Sequence, residues 1–178
     1  MENLKYIIDD STIAELLGVQ NFSTDEAAVL ELVKNAYDAN ALNITLEFID
    51  KALKITDDGN GMDLNDIKTH WMHIGKSNKG YNFIDSNNNV RVQAGSKGVG
   101  RFALARLGED IELYSKKEQK DGVIWKTDWN KSTLDIDYNV KNKGTCILIK
   151  NLRERWTISR IKKLNTYLEK TYNYIYEN

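Results

Sequence analysis

The chain has 178 residues, of which 41% are hydrophobic and 29% charged, and its formal net charge is −1. These values are ordinary for a globular domain with its own core, and the balanced charge gives no indication of nucleic-acid or anionic-membrane binding. The single cysteine, Cys146, excludes a disulfide framework and favours a reducing, cytoplasmic setting, and no apolar run approaches the roughly 20 residues that cross a bilayer.

The order of helix and strand formers predicts an α+β fold. Helices are expected at residues 10–17, 24–40, 64–74, 99–107 and 156–176, and strands at residues 43–48, 53–56, 111–114, 123–129, 134–138 and 145–149. The segment 75–100 is rich in Gly, Asn, Ser and Lys and is predicted to be a long loop. Because helices are grouped early and strands late, we expect the helices to pack on one face of the sheet.

The helix expected at residues 24–40 carries a polar face. Glu31, Asn35 and Asp38 are spaced i, i+4 and i+7, which places them within roughly 60° of one another around the helix. The opposite side is an apolar seam of Ala28, Leu32, Ala36 and Ala39. Ser23 and Glu26 form a capping-box pattern at the start of the helix. The polar face can hold a cation, a water molecule and a phosphate, and an ordinary solvated face has the same composition.

A second candidate site follows the 53–56 strand, where residues 57–62 read DDGNGM. Asp57, at the end of a buried strand, can accept a hydrogen bond from an exocyclic amine. The glycines that follow let a flat ring lie against bare backbone. Asp-Gly and Asn-Gly are also common turn pairs, so this stretch taken alone favours a plain turn.

A third candidate site is the glycine run GSKGVGRFA at residues 95–103. Backbone N–H groups at a helix N-terminus form an anion site, to which Lys97 adds a positive charge. From Gly75 to Arg101 the chain has five basic residues and one acid, which suits a polyphosphate but also a solvated loop. A fourth position, Thr145 after Gly144, is a simple β-former when it is taken alone.

In order and spacing, these four motifs resemble those of the GHKL ATPases. That family includes the DNA gyrase B subunit, the large heat-shock chaperones, MutL-type mismatch-repair proteins and the histidine kinases. The resemblance covers about residues 9–152, and ELVKNAYDA at 31–39, HIGKS at 73–77 and GSKGVGRFALARLG at 95–108 look closest to poorly characterised bacterial histidine kinase/gyrase/chaperone-like ATPases. It implies a Bergerat-type two-layer α/β sandwich, with a mixed, mostly antiparallel sheet and helices on one face.

The resemblance also implies a role for each matched residue. Glu31 is expected to act as the general base, Asn35 to ligate Mg²⁺, and Asp38 to line the pocket near the nucleotide. Asp57 is expected to accept a hydrogen bond from the adenine amino group, with support from Thr145.

Backbone-rich segments would supply the rest of the nucleotide site. The adenine wall is expected to consist of Gly59, Gly61 and Met62. The lid over the phosphates is expected to contain Lys76, Ser77, Lys97, Gly98, Val99 and Gly100. Asn60 departs from the pattern, since gyrase-like members carry an arginine near adenine at this position.

The implied function is Mg²⁺-dependent ATP binding and slow ATP hydrolysis, with nucleotide-controlled lid closure. A histidine protein kinase catalytic domain shares the fold, but those kinases typically have asparagine where this chain has Glu31, and no phospho-acceptor helix pair precedes it. A nucleotide-sensing module without useful turnover stays open as an alternative. Residues 1–178 are expected to form one ATP-binding domain, the N-terminal part of a longer protein that self-associates. No membrane partner is expected, and this domain gives no indication of nucleic-acid binding.

Overall fold

The computed structural model describes residues 8–74, 82–84, 90–92 and 98–176, and its main element is a six-stranded sheet. The strands are β1 (Ile44–Ile49), β2 (Ala52–Asp57), β3 (Asn82–Ile84), β4 (Val90–Val92), β5 (Gly108–Lys116), β6 (Val123–Thr127), β7 (Ser132–Ile136) and β8 (Gly144–Leu152). The order in the large sheet is β1-β2-β8-β5-β6-β7, and β3 pairs with β4 in a separate hairpin. We expected the segment 75–100 to be a loop, but it contains this hairpin.

Every strand pairing in the described part of the chain is antiparallel. The α+β two-layer prediction is confirmed, and the sheet is antiparallel throughout these pairings rather than mixed. The last strand, β8, inserts between β2 and β5, and so brings the residue after Gly144 beside the end of β2.

The helices are α1 (Asp10–Ala14), α2 (Asp25–Asp38), α3 (Leu64–Asp66), α4 (Ala103–Leu107) and α5 (Ile158–Tyr176). A π-helical segment follows α1 at Glu15–Val19 and another follows α3 at Ile67–Trp71, while a 3₁₀ turn at Gly100–Phe102 leads into α4. Helical structure thus covers most of the expected ranges, with irregular turns at one end of three of them. No helix among the described residues has the length and apolarity needed to span a membrane.

The apolar seam of α2 lies in the core, as predicted, with Ala28, Leu32 and Ala36 each at most 4% exposed. The predicted capping box was wrong. Thr24, in an extended conformation, is the N-cap, and its side-chain oxygen accepts a hydrogen bond from the N–H of Ala27 at 3.1 Å. Because the helix begins one residue later than expected, Ala27 occupies the third helical position that the pattern assigned to Glu26.

The two faces of the sheet differ in character. One face packs against the helices through alternating residues that are buried, among them Leu53, Ile55, Ile111, Leu113 and Ile149. The other face carries ion pairs, of Lys54 with Glu47 at 2.7 Å and of Lys150 with Glu112 at 2.9 Å. This period-two alternation explains why the helices cover one face only.

The start of α2 is tied to α4 and α5 by charged side chains that the sequence did not single out. Asp25 is 1% exposed and accepts hydrogen bonds from Arg106 at 2.8 Å and from Arg160 at 3.2 Å. Arg160 also donates to Glu26 at 2.6 Å, and this hydrogen bond lowers the pKa of Glu26. The network anchors the helix that carries the polar face.

Candidate functional site

Helix α2 contacts two loops that carry candidate site residues. The carboxylate of Glu31 lies against Gly100, where an added Cβ would stand 2.5 Å from Oε1. At the C-terminal end of the helix, the carbonyl of Ala39 accepts a hydrogen bond from the N–H of Asn60 at 2.7 Å. Glu31 and Ala39 are separated by about 12 Å along the helix axis. The helix therefore joins the glycine run to the 57–62 loop.

Asp57 lies at the end of β2, opposite Thr145 of β8. Its Oδ1 accepts a hydrogen bond from the N–H of Gly59 at 2.9 Å. Burial raises the pKa of Asp57 to about 6, although backbone hydrogen bonds at Gly59 and Thr145 act in the opposite direction. The result is a half-buried carboxyl group, positioned by backbone donors, that changes charge close to neutral pH.

Ser115 links the 57–62 loop to β8 beside Asp57, and sequence reasoning missed this residue. It is completely buried, and its hydroxyl accepts a hydrogen bond from the N–H of Met62 at 2.8 Å and donates to the carbonyl of Gly144 at 3.0 Å. Its Oγ also lies 2.9 Å from the Oγ1 of Thr145. Since the Ser115 proton goes to Gly144, Thr145 donates in that pair. The only sequence signal was a polar residue at a buried position of the β5 alternation.

Two glycines with positive φ pack against neighbouring backbone close to Asp57, and the surface that they form is called the floor below. Gly61 has φ +66°, and a side chain there would clash with the carbonyl of Lys116. Gly144 has φ +118°, and a side chain there would clash with the carbonyl of Asp57. Both positions require glycine because of backbone conformation as well as space. The surface beside Asp57 is consequently built of backbone.

The other expected site residues divide into those on α2 and those near the glycine run. Asn35 is half-buried on α2 one turn after Glu31, and Asp38 is 6% exposed at the end of that helix. Gly98, Val99 and Gly100 lead into α4 through the 3₁₀ turn. Lys76, Ser77 and Lys97 lie outside the described residues, so their expected roles stay predictions.

The α2 face suits a divalent ion only if a ligand supplies most of the coordination. Within the described ranges, no three His, Cys, Asp or Glu side chains are grouped so as to hold a metal. Mg²⁺ accepts this arrangement, because it commonly takes one or two protein oxygens together with water and phosphate oxygens. The amide oxygen of Asn35 is a hard donor of that kind, and its position on the polar face fits the expected role.

Comparisons of the amino-acid sequence with known proteins give a family match and several relatives. A family model described as "Histidine kinase-, DNA gyrase B-, and HSP90-like ATPase" matches residues 22–163, a range that includes every candidate residue from Glu31 to Thr145. The DNA mismatch repair protein MutL of Syntrophomonas wolfei is 24% identical over 150 residues, which cover 82% of this chain and 25% of MutL. The chaperone protein HtpG of Borreliella burgdorferi is 28% identical over 170 residues, which cover 92% of this chain and 27% of HtpG.

A shorter match involves another class of protein. The putative type II restriction enzyme HgiDII of Herpetosiphon aurantiacus is 33% identical over 91 residues, which cover 50% of this chain and 14% of that protein. The matched regions of these three relatives thus make up 14–27% of their lengths.

Proposed function

Because this chain belongs to the family of histidine kinase-, DNA gyrase B- and HSP90-like ATPases, we propose that it binds ATP together with Mg²⁺ and hydrolyses it slowly. The observation that carries this proposal is the Asp57 carboxyl group, which a backbone N–H holds at the end of β2 beside a backbone-lined floor. A flat base can lie on such a floor while its amino group donates to the carboxylate. Gly59, Gly61 and Met62 would form the adenine wall, and the Thr145–Ser115 pair would support it.

The phosphates would lie near the Glu31–Gly100 contact, at the middle of α2. Glu31 would act as general base on the attacking water, and Asn35 would ligate Mg²⁺, with Asp38 lining the pocket near the nucleotide. The Mg²⁺ ion, when bound, neutralises phosphate charge. Phosphoryl transfer to water needs positioning and charge stabilisation more than covalent chemistry, and these residues offer both. Gly98 and Gly100 have no side chains to shield the backbone N–H groups of residues 98–100, which would suit phosphate oxygens.

The affinity for ADP is expected to depend on pH through Asp57. The ionised carboxylate accepts from the adenine amine, so ADP affinity should be constant above about pH 7 and weaken below the apo pKa of about 6, approaching tenfold per pH unit. Stability should change in the opposite sense, because a pKa raised by folding adds stability at low pH that is lost as the pH rises through about 6. Calorimetric titrations with ADP between pH 5 and 8 measure the first effect.

GDP is the matched control ligand for these titrations. Guanine presents a carbonyl oxygen where adenine presents its amino group, so GDP should bind much more weakly than ADP at pH 7.5. Equal affinities for ADP and GDP, or an ADP affinity that does not change down to pH 5, would contradict the placement of adenine at Asp57.

We further propose that nucleotide controls a lid within residues 75–100, to which Lys76, Ser77 and Lys97 would contribute. The Glu31–Gly100 contact supports this, because the segment ends next to the proposed general base. A non-hydrolysable ATP analogue with Mg²⁺ should protect Lys76, Lys79 and Arg91 from trypsin, and ADP should protect them less. Identical cleavage patterns with the analogue, with ADP and without nucleotide would show that the segment does not sense the γ-phosphate.

The relatives are several times longer than the matched region, so the function of the whole protein is proposed separately from that of this domain. We propose that the ATP-binding domain acts in the cytoplasm as part of a self-associating clamp or switch, in which ATP favours the dimer. The family supports nucleotide binding in general, and the proposed self-association would be tested by sedimentation with and without the ATP analogue.

A further inference from the structure

The segment 100–106, which leads from the glycine run into α4, contacts α2 at both of its ends. At one end Gly100 lies against the Glu31 carboxylate, where an added Cβ would stand 2.5 Å from Oε1. At the other end Nε of Arg106 donates a hydrogen bond to Oδ1 of Asp25 at 2.8 Å. Asp25 and Glu31 are about 9 Å apart along the axis of α2, and Gly100 and Arg106 are about 10 Å apart along their segment. The segment therefore runs along α2 in the opposite direction and is attached to it at two points.

Arg106 is the one residue of α4 with a polar side chain. The other four residues of this helix are apolar and at most 1% exposed. Burial of apolar surface is non-directional, so it holds α4 in the core without fixing its position along α2. A hydrogen-bonded ion pair is directional and has a narrow range of distances. The position of the segment along α2 should thus depend on the bond between Arg106 and Asp25.

Asp25 is held in place by a second helix. It is 1% exposed, and its Oδ2 accepts a hydrogen bond from Nη2 of Arg160, in α5, at 3.2 Å. Arg160 in turn donates to Glu26 at 2.6 Å and lies 4.3 Å from the Trp156 ring centroid. One guanidinium on each oxygen leaves the Asp25 carboxylate little freedom to turn. A buried ion pair adds little net stability, because desolvation offsets the attraction, so orientation is the better account of this arrangement.

We propose that Asp25 and Arg106 are positioning residues of the phosphate site. Their ion pair would set the distance between Glu31 and the backbone N–H groups of residues 98–100. This distance decides whether a phosphate held by the glycine run meets the water that Glu31 would activate, and a misplacement of about 1 Å can cost about 10²-fold in rate. The inference rests on the proposed ATPase and adds to it two residues that lie outside the candidate site.

Amide hydrogen exchange tests the positioning without any nucleotide. In the 178-residue protein, Arg106→Met should speed the exchange of the backbone amides of residues 98–107 by at least about tenfold, as expected for the loss of one charge-assisted hydrogen bond. The amides of β2 and β8 should exchange as in the unaltered protein. Asp25 keeps Arg160 as a partner in this variant, so the fold should persist. Arg106→Lys keeps the positive charge and should restore most of the slow exchange.

The kinetics of the same variants test the functional consequence. Arg106→Met should lower kcat for Mg²⁺-ATP by at least about tenfold, because the reacting groups are misplaced, and should change ADP affinity little. Asp25→Asn should act in the same direction. The double variant should lose little more than the worse single variant, since both substitutions break the same pair.

Lys150→Met is the matched control for a lost ion pair. Lys150 lies 2.9 Å from Glu112 on the face of the sheet away from the helices, so the distance lost is nearly that of the Asp25–Arg106 pair. Its kcat and its exchange at residues 98–107 should equal those of the unaltered protein, measured well below the unfolding temperature of each variant.

Two results would overturn the proposal. The first is exchange at residues 98–107 that is unchanged in Arg106→Met, or raised equally along the whole chain, because the ion pair would then only stabilise the fold. The second is a kcat for Arg106→Met equal to that of Lys150→Met. If Arg106→Met does not fold, Arg106→Lys decides by the same measurements, with smaller changes in the same direction expected. An unaltered protein that does not hydrolyse ATP would contradict the proposed ATPase, and the exchange comparison would still decide whether the pair positions the glycine run.

Discussion

Asp57→Asn is expected to weaken ADP binding by at least about a hundredfold, the loss of a charged hydrogen bond together with a new buried mismatch. The asparagine would keep its Oδ1 on the Gly59 N–H, where Asp57 accepts at 2.9 Å. Its NH₂ group would then face the adenine amino group, which places two donors opposite each other. Titration calorimetry with ADP at pH 7.5 measures the effect.

The same substitution should leave the fold intact, which makes the result interpretable. Burial raises the pKa of Asp57 from 3.8 to about 6, so the ionised carboxylate lowers the stability of the apo protein at neutral pH by at most about 3 kcal/mol. Replacing it with a neutral isostere should therefore keep or raise the unfolding temperature at pH 7.5. Thermal denaturation followed by circular dichroism checks this expectation.

Asp58→Asn is the matched control because it makes the same chemical change at the adjacent residue. Asp58 is exposed and accepts hydrogen bonds from Leu42 N–H at 2.7 Å, from Asn43 N–H at 2.9 Å and from the Asn43 side-chain amide at 2.8 Å. An asparagine oxygen can retain the two backbone bonds, and the bond to the Asn43 side chain is exposed to solvent, so ADP affinity should change little. An Asp57→Asn protein that is folded and binds ADP as tightly as the unaltered chain would refute the adenine site.

Glu31→Gln should reduce the rate of ATP hydrolysis by roughly 10²–10⁴-fold and leave ADP affinity nearly unchanged, because a general base acts on the transition state. Glutamine is preferred to alanine since Glu31 packs against Gly100, and a side chain of the same size preserves that contact. Glu31→Ala should lose the same activity. Phosphate release under saturating Mg²⁺-ATP, together with calorimetry, separates the chemical step from binding.

Lys34→Met and Asn35→Ala complete the set of α2 variants. Lys34 lies 3.6 Å from the Glu31 carboxylate on a half-exposed surface, and its loss should change the rate only slightly. Asn35→Ala should weaken Mg²⁺-dependent binding of ATP more than binding of ADP without Mg²⁺. Hydrolysis by Glu31→Gln at the parent rate would place the base elsewhere. A parent protein that binds ATP without turnover would instead favour the nucleotide-sensing alternative.

Local patterns were sufficient to predict much of the framework. The i, i+4, i+7 spacing that placed Glu31, Asn35 and Asp38 on one face of a helix depends only on helical geometry, and α2 spans all three. The strand before Asp57 and the turn after it were predicted from β-formers followed by glycines, and β2 ends at Asp57. The ordered motifs led to the family, which the match over residues 22–163 confirms.

Local sequence patterns could not predict contacts between distant parts of the chain. Ser115 looks like any strand serine until β5 lies beside β8 and the 57–62 loop, where it bonds Met62 and Gly144. Asp25 looked like an ordinary first-turn acid, yet Arg106 and Arg160 reach it from 81 and 135 residues away. Nothing in the spacing of either residue encodes these partners.

The sequence by itself determined the helix that carries Glu31, the polar face of that helix and the place of Asp57 at a strand end, because each depends on neighbours within a few residues. Only the tertiary structure decided that Gly100 touches Glu31 and that Asp57 becomes buried enough to raise its pKa to about 6. The physical reason is that burial, desolvation and hydrogen-bond pairing depend on which surfaces meet when the helices pack on the sheet. These packing contacts bring together residues that lie far apart in the chain.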